Sequence, residues 1–242
     1  MSLVLGNKNN NGYIDHGDIS AIDGATALTL ACWVRGGLDF PVDIGKGKEG
    51  ITSDLMLFQV TTGQRYMIRE RLADLSLAWV LMSDQNVIST DLLDWDHFAM
   101  VYDGTLAVTS RVTVYKNAVS LPLVGPDGIS PQGTDASSTA PTSFPDTSPY
   151  SLENGNANVS GLTGHLRLWS VALTQGEVAQ EVHRYWANRR TNLVLDAPYD
   201  DSLDPRDYSG AGNHGTWDRL FGTPGLSQGP PVAYGGKVLV TG

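Results

Sequence analysis

Asp200, Asp201, Asp204, Asp207 and Asn213 crowd oxygen-bearing side chains into one Gly-rich stretch of the 242-residue chain. Hard cations such as calcium are held by carboxylates, amide carbonyls and backbone carbonyls supplied from loops, so this stretch is a candidate metal site. The competing reading is that the same residues make Asx-turns and cap strands. Aromatic residues offer a second chemistry. Trp79, Trp169, Trp186, Trp217, Tyr150 and Tyr208 could stack on sugar rings, pairing large contact area with a polar handle. Burial is the default for Trp33 and Trp169, which fall in strand-like runs, whereas Tyr208 and Trp217 fall in loop-like sequence and are the expected ligand-binding residues.

Catalytic patterns are absent from the sequence, and no catalytic residue is expected. Glu70 and Asp74 flank Arg71 and suit an exposed strand-to-loop stretch; Asp91, Asp94 and Asp96 cluster before a hairpin, with Asp96 on its turn side. The histidines His16, His97, His165, His183 and His214 form no His-Glu-x-x-His zinc motif. His97 and His165 read as packed or satisfied polar residues. No Gly-x-Ser-x-Gly nucleophile elbow occurs. The glycine-rich stretch Gly45 to Gly50 lacks phosphate-loop spacing and reads as a solvated loop.

Lys+Arg 16 against Asp+Glu 26 gives a net charge of -10, which opposes nucleic-acid binding and docking on an anionic membrane. Cys32 is the single cysteine, so no intramolecular disulfide can form, and its apolar run marks it as a buried thiol. Met1 to Gly6 lacks a basic region followed by an apolar one, and no apolar run approaches a membrane span. The expectation is a soluble chain without signal peptide or membrane insertion, with export left open.

The elements that must position these residues are strands. From Trp95 to Asn117, Phe98, Met100 and Tyr102 alternate with Ala99 and Val101, then Val112 and Val114 alternate with Thr113 and Tyr115. Asp103-Gly104-Thr105 supplies turn chemistry between them, so the stretch predicts a hairpin. Apolar residues on both faces predict strands held between two layers. Further strands are predicted at 3–5, 13–14, 27–35, 55–61, 65–68, 75–82, 162–173, 193–197 and 237–240. Thr174 and Glu177 have capping-box spacing, and Val178, Val182 and Trp186 recur every fourth residue, predicting a short helix with its apolar stripe on the sandwich. Prolines at 126, 131, 141, 145 and 149 mark a long loop at 125–149.

Taken in order, several stretches resemble the laminin-G-like members of the concanavalin A-like jelly-roll superfamily. Leu28 to Val34 is similar to the family's first long strand. Trp95-Asp96-His97-Phe98, Tyr102-Asp103-Gly104-Thr105 and Val112 to Asn117 resemble its central hairpin. Gly164 to Trp169, with Ala172-Leu173-Thr174 and Glu177, resembles its later strand and short helix. Asp207 to Gly215 is similar to its Asp-x-Ser-Gly-Asn-Gly-Asn-x-Gly segment. The resemblance implies an all-β, two-sheet antiparallel β-sandwich (a jelly roll) with one short helix, in a single domain over 1–242. It makes Asp207 and Asn213 the best-placed ligands of a structural calcium. It does not imply an activity. Some superfamily relatives are glycosidases with carboxylates in a Glu-x-Asp-x-Glu run, which this chain lacks.

The expectation is a non-catalytic binding or structural module. Foremost is a viral (phage) particle surface component, a capsid decoration protein or tail adhesin, with protein partners or surface glycans and room for a homo-oligomer interface. The alternative is an exported, calcium-dependent, lectin-like module. A glycoside hydrolase or lyase is the weakest reading.

Overall fold

The computed structural model describes residues 2–5, 13–22, 24–35, 42–46, 54–61, 65–71, 77–83, 87, 94–124, 150–154, 161–199, 205–218, 225–227, 233–234 and 237–238. In chain order the strands begin with β1 (Ser2–Leu5), β2 (Tyr13–Asp15), β3 (Ala27–Arg35), β4 (Val42–Lys46), β5 (Asp54–Thr61) and β6 (Arg65–Arg71). They continue with β7 (Leu77–Ser83), β8 (Asp96–Asp103), β9 (Val112–Lys116), β10 (Val119–Leu121), β11 (Leu123–Val124) and β12 (Tyr150–Asn154). After β13 (Gly161–Trp169) comes the helix α1 (Gln175–Glu181), then β14 (Leu193–Ala197), β15 (Thr216–Asp218), β16 (Gly225–Ser227), β17 (Ala233–Tyr234) and β18 (Lys237–Val238).

Two antiparallel sheets carry the fold. The first runs β10-β9-β8-β3-β13-β1-β16, with β14 also paired to β13; the second runs β11-β7-β6-β5-β4-β12-β2-β15. The expected hairpin is β8 and β9, with Tyr102 opposite Val112 and Phe98 opposite Lys116. Asp103 makes its turn by accepting hydrogen bonds at Oδ1 from the Thr105 backbone N–H (3.0 Å) and hydroxyl (2.6 Å). Gly45 and Lys46 are a correction: they lie in β4 rather than in a loop. β4, β10, β11, β12, β15, β16 and β17 are further strands beyond those expected. The expected loop at 125–149 lies outside the described residues.

Period-two alternation explains why β3, β8 and β13 are apolar throughout. Leu28, Leu30, Cys32 and Val34 point inward with Phe98, Met100, Tyr102, Leu166 and Leu168, sharing a core with Ile14 of the second sheet. The opposite face of the same strands carries Ala31, Ala99, Val101 and Trp169, which pack with Leu173, Val178, Ala187 and Leu193. The two layers around the hairpin are therefore a second sheet on one side and α1 with its following segment on the other.

Candidate functional site

Thr174 caps α1. Its hydroxyl accepts from the Glu177 N–H, while the Glu177 carboxylate accepts from the Thr174 N–H at 2.8 Å. The helix ends at Glu181, and Val178 and Val182 are buried. Trp186 corrects the expected stripe: it lies past the helix, and 40% of it is exposed.

What holds the segment after α1 against the first sheet is Arg167, 2% exposed, on the outward side of β13. Its Nε donates to Asp196 Oδ1 (3.1 Å) and its Nη1 to Glu181 Oε2 (3.1 Å) and the Glu181 carbonyl (3.4 Å). Nη2 donates to the carbonyls of Arg184 (2.7 Å) and Tyr185 (2.6 Å). All five guanidinium N–H groups thus have an acceptor, which a buried cation requires. Glu181 accepts in turn from the N–H groups of Asn188 (3.0 Å) and Arg189 (2.8 Å), and Trp169 Nε1 donates to the Arg189 carbonyl (2.8 Å). Glu177 and Arg189 form a further close ion pair.

Because Arg167 grips the carbonyls of Arg184 and Tyr185, it sets where the next residue goes. A row of rings runs from inside to outside: buried His165 to Tyr185 (centroids 5.0 Å), Tyr185 to Trp186 (4.6 Å), Trp186 to Tyr208 (5.1 Å), each edge-to-face. Tyr208 is 38% exposed. Its backbone is fixed by an N–H bond to the Asp196 carbonyl (2.8 Å) and by Arg190 Nη2 donating to its own carbonyl (2.6 Å). Arg190 Nη1 donates to Asp196 Oδ2 at 3.2 Å. Single exposed aromatics are ordinary surface; two in contact, on a segment pinned from below, make a preformed platform.

Asp207 and Asn213 are brought together, but inside a hydrogen-bond network. Asp207 Oδ1 accepts from the N–H groups of Asp196 (2.9 Å) and Ser209 (2.8 Å). Its Oδ2 accepts from the Ser209 hydroxyl (2.7 Å) and the Asn213 N–H (3.0 Å). A carboxylate offers about four acceptor positions, and protein donors take them all. Asn213 Nδ2 donates to the Val194 carbonyl (2.7 Å), and its own carbonyl accepts from His16 Nδ1 (2.9 Å). His16 Nδ1 must then carry the proton, so Nε2 accepts from the Tyr199 hydroxyl at 2.8 Å. These contacts tie the 205–215 loop to β14 and to the end of β2, the turn-and-cap arrangement. Asp207 is thus occupied by protein donors, and among the described residues no three His, Cys, Asp or Glu side chains converge to hold a metal. Asp200, Asp201 and Asp204 lie outside the described residues.

Trp217 is corrected from loop to strand: it lies in β15 opposite Ile14. Glu70 lies in β6, and Asp74 and Asp91 lie outside the described residues. Asp96 opens β8, buried, with Lys116 Nζ at 2.9 Å, rather than standing on a turn. His97 and His165 are buried at 2% and 3% exposure, as expected for packed residues. Burial, and then the nearby Arg167 charge, lowers the His97 pKa to about 3 and holds that of His165 well below the ordinary value. The sequence offers Trp186 among the aromatics that could stack on a sugar but also assigns it to the buried helix stripe, and it does not single out Arg190. The one usable signal for Arg190 is an Arg-Arg pair three residues after a tryptophan, in a stretch without acids.

No protein-family model and no curated protein sequence matches the chain. Among solved structures, a Bacteroides ovatus protein described as a candidate carbohydrate-binding protein superposes with a TM-score of 0.53 at 16% identity. The match covers 90% of this chain and 59% of that one, so this chain spans under two thirds of its length. The fold is a jelly-roll β-sandwich. A pentraxin from Limulus polyphemus matches with a TM-score of 0.44 at 13% identity, covering 74% of this chain and 78% of that one. Domain 4 of an extracellular arabinanase from Geobacillus stearothermophilus, in complex with arabinotriose, matches at 0.43 and 17% identity, covering 66% and 68%. The likeness to the Bacteroides ovatus protein is one of fold.

Proposed function

We propose that this chain is a non-catalytic carbohydrate-binding module, with Trp186 and Tyr208 as its sugar-stacking residues. The observation that carries the reading is the contact of two large aromatics, 5.1 Å between centroids, that stay 40% and 38% exposed. Sugar rings present apolar C–H faces, and a rigid exposed aromatic pair offers them area at little entropic cost. The Bacteroides ovatus protein described as a candidate carbohydrate-binding protein has the same fold over most of this chain, which supports the reading. The order of the sequence motifs supports a laminin-G-like placement within that fold. Nothing in this reading is routed through calcium at Asp207.

The test is a glycan array probed with the purified full chain, in calcium and in chelator. Specific binding, unchanged by chelator and weakened about tenfold or more by Trp186→Ala and by Tyr208→Ala, is the expected outcome. An empty array, or two variants that bind like the parent, overturns it. Release of sugar from a bound polysaccharide replaces it with a glycoside hydrolase. A module of this kind serves a tail adhesin or decoration protein on a viral particle as well as an exported lectin; co-purification with assembled particles separates the two.

A further inference from the structure

Arginines flank the aromatic pair in an acidic protein. The chain carries a net charge of -10, yet residues 182–192 contain no Asp or Glu and include Arg184, Arg189 and Arg190. Residues 205–214 contain one acid, Asp207, which is buried and spent on backbone and hydroxyl donors, together with the exposed Arg206. Arg189 is paired with Glu177. Arg184, two residues before Trp186, is exposed.

Arg190 is the member that touches the site. Its side chain is 52% exposed, although it is anchored at Nη1 by Asp196 Oδ2 and at Nη2 by the Tyr208 carbonyl. An arginine has five N–H donors, and the two anchors use two of them. The fork is thus held in place beside Tyr208 while donors remain toward solvent. Anchoring of this kind removes the entropic penalty that an arginine otherwise pays on gripping an anion, and the planar fork matches a carboxylate with two parallel bonds.

We propose that the Trp186–Tyr208 site takes an acidic saccharide, the sugar ring resting on the aromatic pair and its carboxylate received by Arg190. The proposal rests on the carbohydrate-binding function of this site and narrows its substrate class. The exposed Arg184 and the half-exposed Arg190 add attraction for an anionic ligand at this site.

The experiment is calorimetric titration of the full chain with oligomers of galacturonic, glucuronic and sialic acid, each against its own methyl ester. The ester keeps the ring and removes the charge. At least one acid should bind about tenfold or more tightly than its ester, with the difference shrinking as salt is raised. Arg190→Gln should abolish the acid–ester difference, even where losing the bond to the Tyr208 carbonyl also weakens the ester, and Arg190→Lys should recover only part of it. If Arg190→Gln does not fold, the acid–ester comparison on the parent chain decides alone. Esters that bind as tightly as the acids, with both weakened by Trp186→Ala, overturn the acidic preference and leave the carbohydrate reading standing. No binding of any acid, ester or neutral glycan on the array overturns both.

Discussion

Asp207 is buried at 6% exposure and accepts hydrogen bonds from three backbone N–H groups and one hydroxyl, so its work is to close the 205–215 loop onto β14. Removing it strands donors that have little access to water. Asp207→Ala should cost about 2–4 kcal/mol of stability. Thermal unfolding with calcium and with chelator checks the assignment: equal drops in Tm fit a loop-closing carboxylate, whereas a drop confined to calcium would restore a metal site. Gly215 belongs to the same device. A β-carbon there would stand 2.5 Å from Ile14 Cγ2 and 3.0 Å from His16 Cε1 and Pro205 Cγ, so this position requires the bare backbone. The motif at 207–215 is thus a packing and turn solution, which is why it is visible in sequence.

At the scale of elements, α1 alone is too short to be stable; seven residues rely on tertiary contacts. Its capping box fixes where it starts, and Arg167 fixes the segment C-terminal to it. The guanidinium bridges Glu181 at the helix end to Asp196 on β14, with the Arg184 and Tyr185 carbonyls between. Arg167→Met should lower stability by about 3–5 kcal/mol, because it leaves two buried carboxylates short of their cation. It should also weaken glycan binding more than a distant variant of equal Tm does, since the Trp186 platform depends on the same carbonyls. Guanidinium unfolding and array binding on the same sample check both parts. Sequence reading finds this strand and helix, but it runs the strand on to Leu173 where β13 ends at Trp169, and it places Trp186 on the buried face because a four-residue repeat is carried past the helix end. The repeat stops meaning anything once the backbone leaves the helix after Val182.

For the whole molecule, the layer outside the first sheet buries His97 and His165 as neutral imidazoles among Trp33, Tyr185 and Arg167. The folded pKa of His97 is depressed to about 3 from 6.5, so the unfolded chain binds the extra proton first as pH falls. Stability from this residue is complete above the unfolded value and is lost progressively from about pH 6.5 down toward pH 3; His165 acts in the same direction. Tm should fall on acidification through that window, and His97→Gln should flatten the fall between about pH 6.5 and pH 4 whatever it does to Tm at neutral pH. An unchanged slope in the variant would place the acid sensitivity elsewhere.

Local rules determined much of this. Alternation of Leu28 to Val34 and Phe98 to Tyr102, the Asp103 turn and the Thr174–Glu177 box each act within a few residues, so the sequence by itself determined the hairpin, the two-sided strands, the helix start and the sandwich class. The contact between the two exposed aromatics was decided only by tertiary structure. Trp186 and Tyr208 are 22 positions apart and meet because Arg167, on a third element, holds one segment while Asp196 and Arg190 hold the other. The fate of Asp207 was likewise invisible, since an Asp in a Gly-rich stretch reads the same whether a cation or four protein hydrogens claim it. Long-range contacts made that choice, because whether a side chain is spent or exposed depends on neighbours that no local pattern names.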